Sequence, residues 1–153
     1  PSQDGAVPSG NSVAARNLLR LAALTGDDRY RDRAVMLFSA FHEMLTRAPT
    51  AVSELLLALD FELEPTKEII VLRPAHGGEL AAMLSPLRSA HLPNRILAVA
   101  TEGQDLDAHS AAVPLVAGKI AQDGKVTAYL CENRVCNRPT TDPEIFAEQL
   151  RDR

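Results

Sequence analysis

Tryptophan is absent from the 153 residues of this chain, aromatic residues make up only 4%, and cysteine occurs twice. With so few rings, the core must rest on Leu, Val, Ile and Ala. Two cysteines in this length argue against a small secreted scaffold stapled by disulfides. No apolar run approaches the roughly 20 residues of a membrane-spanning helix, and no secretory leader pattern is present. An excess of positive charge is also missing: 16 Lys and Arg against 20 Asp and Glu leave a net charge of -4. Neither nucleic acid nor an anionic membrane is therefore expected as a partner. The expected setting is cytoplasmic. What is present, 46% hydrophobic and 24% charged residues, is the composition of a globular protein of one domain or two small modules.

The two halves differ in pattern. Up to about Phe61 the sequence reads as helices. Asn11 or Ser12 is expected to cap the first, with apolar positions at Val13, Leu18, Leu21 and Leu24. Gly26 suits the left-handed residue that follows a helix, and Asp27 or Asp28 starts the next. Tyr30, Ala34, Leu37, Phe41 and Met44 then recur at helical spacing until Pro49. Thr50 is expected to cap a third helix, AVSELLLALDF, which is apolar on most sides and expected to be largely buried.

After Pro65 the period changes. EIIVL and NRILAVA are short continuous apolar runs, as for strands covered on both faces. Between them GGELAAMLSPLRSA reads as a helix that Pro86 kinks or restarts. Strand, helix, strand at this spacing implies a parallel pair. PLVAGK and KVTAYLC flank Asp123-Gly124, a hairpin signal, so two antiparallel strands are expected there. Alternation puts Thr127, Tyr129 and Cys131 on one strand face and Val126, Ala128 and Leu130 on the other, both suited to burial. Asp142 caps a last helix with Pro143 at its first position. The expected fold class is α/β (mixed), with a helical segment over 1–64 and a small β-α-β-β-β-α module over 65–153. That order resembles the core of a thioredoxin fold whose central helix is missing or reduced to EGQDLDAHSAA, with Pro114 before the third expected strand. Such a likeness implies no chemistry, and no Cys-x-x-Cys follows the first strand.

Two stretches together resemble a known family. DGAVPSGNSVAARNLLRLAALTGDDRY resembles the last helical hairpins of an (α/α)6 toroid, and DGKVTAYLCENRVCNRPTTDPE resembles the tail that follows it. Both are similar to the thioredoxin-domain-containing proteins that include the spermatogenesis-associated members and bacterial relatives. VLRPAHGGEL departs from the pattern, with no glycine directly after the first strand. The resemblance implies an N-terminal thioredoxin-like domain, then a toroid like that of N-acylglucosamine 2-epimerases and six-hairpin glycosidases, then a small C-terminal region. Such a toroid needs about a dozen helices, and this chain supplies roughly three. The resemblance thus implies a C-terminal, non-catalytic portion that completes the toroid and supports its pocket. Its partner would be the rest of the same polypeptide, the upstream toroid and thioredoxin-like domain, and alone it would be prone to self-association. The whole protein would be a carbohydrate-active or redox enzyme; no cofactor is implied for this portion. The alternative is an autonomous redox or binding module that uses the Cys131/Cys136 loop.

Asp4, Ser9, Asn11 and Ser12 are short polar groups around Gly5 and Gly10. They could line the mouth of a toroid and hydrogen-bond sugar hydroxyls, or simply cap a helix and shape its turn; capping is the simpler expectation. Cys131 and Cys136 lack a second ligand pair among His42, His76, His91 and His109, so no metal is expected. A disulfide between them is sterically open but disfavoured in a reducing cytoplasm. Two free thiols are therefore expected, Cys131 packed inward and Cys136 the more reactive beside Arg134 and Arg138. A thiol couple that switches with redox state stays open. His76-Gly77-Gly78 lacks the spacing of a phosphate loop, and no Gly-x-Ser-x-Gly elbow accompanies it. A plain strand-to-helix turn is expected there, with no catalytic role for His76. His42 and Glu43 point about 100° apart on a helix and suit a solvated face. No carboxylate pair is placed for glycoside hydrolysis.

Overall fold

Described over residues 3–151 in a computed structural model, the chain divides between Pro65 and Thr66 into a helical unit and an α/β unit. The helical unit holds α1 (Gly10–Thr25), α2 (Asp28–Ala40), α3 (His42–Arg47) and α4 (Ser53–Leu63). Ser9 caps α1, its hydroxyl accepting from the Ser12 amide at 3.2 Å. The cap thus lies two or three residues before Asn11 and Ser12, and Ser12 is instead buried inside the first turn. Gly26 follows α1 in the left-handed region (φ 69°) and donates its amide to the Ala22 carbonyl. Asp27 caps α2 through the Arg29 amide.

α1 packs against α2 and α4. Alanines lie at the heart of these contacts: Ala15, Ala34 and Ala58 are fully buried, with Leu19, Phe38, Leu55 and Phe61 filling the space beside them. Small residues let helix axes approach closely while the larger neighbours interdigitate. The helix over Tyr30–Met44 is not continuous. It breaks at Phe41 (φ -103°, ψ 14°), and its buried pair is Ala34 and Phe38. Thr50 does not cap the last helix either, because Pro49 opens a 3-10 turn over Pro49–Val52 and α4 begins after it. Nor is α4 largely buried: Leu55, Ala58 and Phe61 face inward, but Leu57 is 51% and Leu63 73% exposed.

The α/β unit is built on a four-stranded sheet of order β2-β1-β3-β4. β1 (Lys67–Arg73) is followed by α5 (Leu80–Leu84) and α6 (Pro86–Ser89), β2 (Arg95–Thr101), α7 (Gln104–Ala112), β3 (Thr127–Glu132), β4 (Val135–Cys136) and α8 (Pro143–Arg151). β1 runs parallel to β2, with Ile69 opposite Leu97, and antiparallel to β3, with Ile70 opposite Tyr129. β1 is central, which explains its unbroken apolar run: Glu68 to Leu72 are all buried. Ile69, Val71, Ala128 and Leu130 face α5, α6 and α8, where Phe146, Met83 and Leu87 close the core. Ile70, Leu72, Tyr129 and Cys131 face the other way, against Val116, Leu106 and Val113. Pro86 restarts the helix after β1. Asp142 caps α8 through the Glu144 amide at 2.8 Å.

The order differs from the one expected. PLVAGK forms no strand, because Pro114 opens a 3-10 turn and Gly118 (φ 70°) turns the chain again. Asp123 and Gly124 lie in another short 3-10 turn, and Thr127 Oγ1 locks it by accepting from the Gln122 amide. The hairpin lies instead at Asn133 and Arg134, both with positive φ (49° and 64°), between β3 and β4. This is the backbone of a two-residue type I′ turn. α7 is present as a nine-residue helix. The observed order is therefore β-α-α-β-α-β-β-α.

Candidate functional site: a cystine at the sheet edge

Cys131 and Cys136 are joined, Sγ to Sγ at 2.05 Å, which overturns the expectation of two free thiols. The reason lies in register. The tight turn at Asn133-Arg134 folds β4 onto β3 and places Cys136 directly opposite Cys131, with Cα atoms 3.9 Å apart. The Asn137 amide then donates to the Leu130 carbonyl at 2.8 Å, holding the strand just beyond the pair. Cys136 therefore stands in a strand, not in a free loop. The two sulfurs are unequal. Cys131 is 1% exposed on the face of Ile70 and Tyr129, while Cys136 is exposed at the rim.

Charged groups gather around this pair from three elements. Lys119, in the segment before β3, brings Nζ to 3.7 Å from Cys136 Sγ and 5.2 Å above the centre of the Tyr129 ring. Tyr129 holds that segment in place: its hydroxyl donates to the Ile120 carbonyl at 2.6 Å and accepts from the Ile120 amide at 3.2 Å. Glu68 of β1 lies opposite Cys131 in the ladder and is 9% exposed. Its Oε2 accepts from the Arg134 amide in the turn joining the cysteines, at 3.2 Å. Burial pushes the Glu68 carboxyl above its usual range, against the opposing pull of Arg134 and Lys119. No residue-by-residue pattern announced Glu68. An acidic residue at the head of a continuous apolar strand was the available signal.

Away from the cystine, a concavity of about 630 Å³ opens at the carboxyl end of β1, lined by His76, Gly78, Glu79, Lys125 and Thr141. Gly77 (φ 99°) and Gly78 (φ 156°) carry the chain through it. A Cβ on Gly78 would lie 2.9 Å from Val126 Cγ2. The glycine pair is thus explained by backbone geometry. His42 and Glu43 are both exposed on α3. Among the described residues no group of three or more His, Cys, Asp or Glu is placed to hold a metal, and no helix is long and apolar enough to cross a membrane.

Asp4 and Ser9 are consumed by helix capping. Asp4 Oδ1 accepts from the Ser9 amide at 2.7 Å and Oδ2 from the Glu54 amide at 2.9 Å, so one carboxylate serves the starts of α1 and α4. Asn11 lies half-buried in the first turn of α1. Burial alone would raise the Asp4 carboxyl, but hydrogen bonds from Ser9, Ser12 and Glu54 outweigh it and hold the group below the usual carboxylate range. Asp4→Ala is expected to cost about 1 kcal/mol at neutral pH, a partly exposed cap being screened by water. Because the folded value is depressed, this stabilisation is present above the unfolded value of about 3.9 and is lost as pH falls through the folded one. Urea unfolding of wild type and variant at pH 7 and pH 3 should therefore show curves that are separate at the first and closer together at the second.

No protein-family model and no solved structure matches the chain. Among curated proteins, spermatogenesis-associated protein 20 of Homo sapiens is 36% identical over 141 residues, 92% of this chain. The protein of the same name from Rattus norvegicus is likewise 36% identical over 141 residues. An uncharacterized protein of Caenorhabditis elegans is 30% identical over 138 residues, 90% of the chain. In each case the match spans 18% of the relative's own length. Over nearly its whole length, this chain is similar to a segment of spermatogenesis-associated protein 20.

Proposed function

We propose that the chain is the C-terminal portion of a thioredoxin-domain protein with a carbohydrate-enzyme-like toroid, whose helical unit, itself non-catalytic, completes that toroid and supports its pocket. The observation that carries this reading is the apolar surface of the helices. Met36 of α2 is 70% exposed, and Leu57 and Leu63 of α4 are 51% and 73% exposed. Val13 and Leu21 of α1 and Val35 of α2 add to it at 40–43%. Scattered apolar side chains on a surface are ordinary, but large ones on three neighbouring helices fit faces that expect further helices. Helical hairpins of a toroid bury such faces against the next hairpin.

The α/β unit fits the same reading as a thioredoxin-like module without dithiol chemistry at the usual place. Its sheet of order β2-β1-β3-β4, with one parallel and two antiparallel pairings, supports that reading. The turn from Pro74 to Glu79 after β1, where such folds carry their thiols, holds no cysteine.

Sedimentation velocity of the chain alone, beside a longer polypeptide that includes the upstream sequence, tests the reading. The chain alone is expected to self-associate and to bind a hydrophobic dye; the longer protein is expected to do neither. A chain that stays monomeric at high concentration and binds no dye overturns the proposal.

A further inference from the structure

The cystine raises a question that toroid completion does not answer. It bridges residues only five apart. In the chain-entropy account, closing so short a loop contributes about 2 kcal/mol, at the low end for disulfides. The neighbouring structure is also secured without it. Beyond the pair, Ala128 and Thr140 exchange two backbone hydrogen bonds at 2.8 and 3.1 Å. The Tyr129 hydroxyl anchors the 120 segment from the other side. The two cysteines differ sharply in exposure, and the exposed one has a cation beside its sulfur.

We infer that Cys136 and Cys131 form a thiol–disulfide exchange pair that reduces a disulfide substrate, with Cys136 attacking and Cys131 resolving. Lys119, 3.7 Å from Cys136 Sγ in the cystine, is placed to favour the Cys136 thiolate once the pair is reduced, and the exposure of Cys136 lets it reach a substrate. Cys136 Sγ attacks one sulfur of the substrate. The substrate S–S bond breaks, a mixed disulfide forms on Cys136, and the other substrate sulfur leaves as a thiolate. The Cys131 thiol gives its proton to that thiolate, and Cys131 Sγ attacks Cys136 Sγ. This forms the Cys131–Cys136 bond seen in the structure and releases the second substrate sulfur as a thiolate. The substrate gains two electrons, the cysteines lose two, and net charge is unchanged. A dithiol reductant returns the pair to its starting state. Glu68 and Lys67 on β1, Arg134 in the turn, Tyr129 and Glu132 on β3, and Lys119 are among the charged and titratable groups around the pair, with Lys67 and Glu132 ion-paired at 3.3 Å. Glu68 is a positioning residue: it binds the Arg134 amide and so fixes the turn that sets one sulfur opposite the other.

The test reduces the protein with dithiothreitol, removes the reductant and adds oxidised glutathione, following thiols and intact mass. Wild type is expected to release two glutathione thiols per chain and to end with its internal cystine. Cys131→Ser is expected to stop at one glutathione joined to Cys136. Cys136→Ser, which leaves only the buried sulfur, is expected to react at least tenfold more slowly until urea is added. Lys119→Met in the Cys131→Ser background is expected to slow iodoacetamide alkylation of Cys136 several-fold at pH 7 and not at pH 10. Circular dichroism of each variant establishes that it is folded. A cystine that opens to dithiothreitol only when the protein unfolds, or equal reaction of the two single variants in the native state, overturns the inference. Neither result bears on the self-association expected for the helical unit, so the two proposals fail separately.

Discussion

Phe146→Ala is expected to lower the stability of the α/β unit by about 3–5 kcal/mol. Phe146 is fully buried on α8 and packs with Ile69, Val71, Met83 and Leu130. It is one of only six aromatic residues of the types Phe and Tyr in a chain without Trp (Phe 4, Tyr 2). Aliphatic neighbours on β1 and β3 stand on rigid strands and cannot close over the space that a missing ring leaves. The loss is a large share of the roughly 5–15 kcal/mol by which domains of this size are stable. Ile145→Ala is the control: the adjacent residue on the same helix is 48% exposed, so a change within about 1 kcal/mol is expected. Urea denaturation followed by circular dichroism gives both values. Equal shifts for the two variants would mean that α8 does not seal the core as described.

Gly78→Ala is expected to cost about 2–4 kcal/mol, from two sources that can be separated. The first is backbone strain, since φ at Gly78 is 156°, a conformation that L side chains rarely adopt. The second is contact, since the new Cβ would stand 2.9 Å from Val126 Cγ2 on a branched, buried side chain that has little room to move. In a Val126→Ala background the contact disappears and the strain remains. A double-mutant cycle is therefore expected to show about 1 kcal/mol of coupling between the two positions. Zero coupling would place the whole cost in the backbone. His76→Ala, on an exposed side chain in the same turn, is expected to change stability by less than about 0.5 kcal/mol.

Local chemistry made several features legible from the sequence by itself. Gly26, Asp27, Asp142 and Pro143 mark helix ends through interactions that span only a few residues, and each performs that role in the fold. The run EIIVL announced a strand covered on both faces, because burial on two sides removes the need for alternation, but the similar run NRILAVA forms the edge strand β2, where Leu97 and Val99 are 40% and 44% exposed. Likewise the period of KVTAYLC assigned Cys131 to the face of Tyr129.

Tertiary structure decided the rest, and in each case the deciding contact is distant or the local signal ambiguous. Asp123-Gly124 carries a stronger hairpin signature than Asn133-Arg134, yet β3 finds its partners in central β1 and in β4, and the first pair becomes a 3-10 turn. That one change of pairing brought Cys136 opposite Cys131 and closed the cystine, because register, not spacing, sets the distance between sulfurs. Asp4 accepts from the Glu54 amide 50 residues away, in the first turn of α4, as well as capping its own neighbour, a connection no local pattern encodes. Lys119 and Glu68 come to the cysteine pair only because the fold lays three separate segments side by side, and a cation near the Cys136 sulfur and a buried carboxyl opposite Cys131 that holds the turn between the cysteines are consequences of that packing.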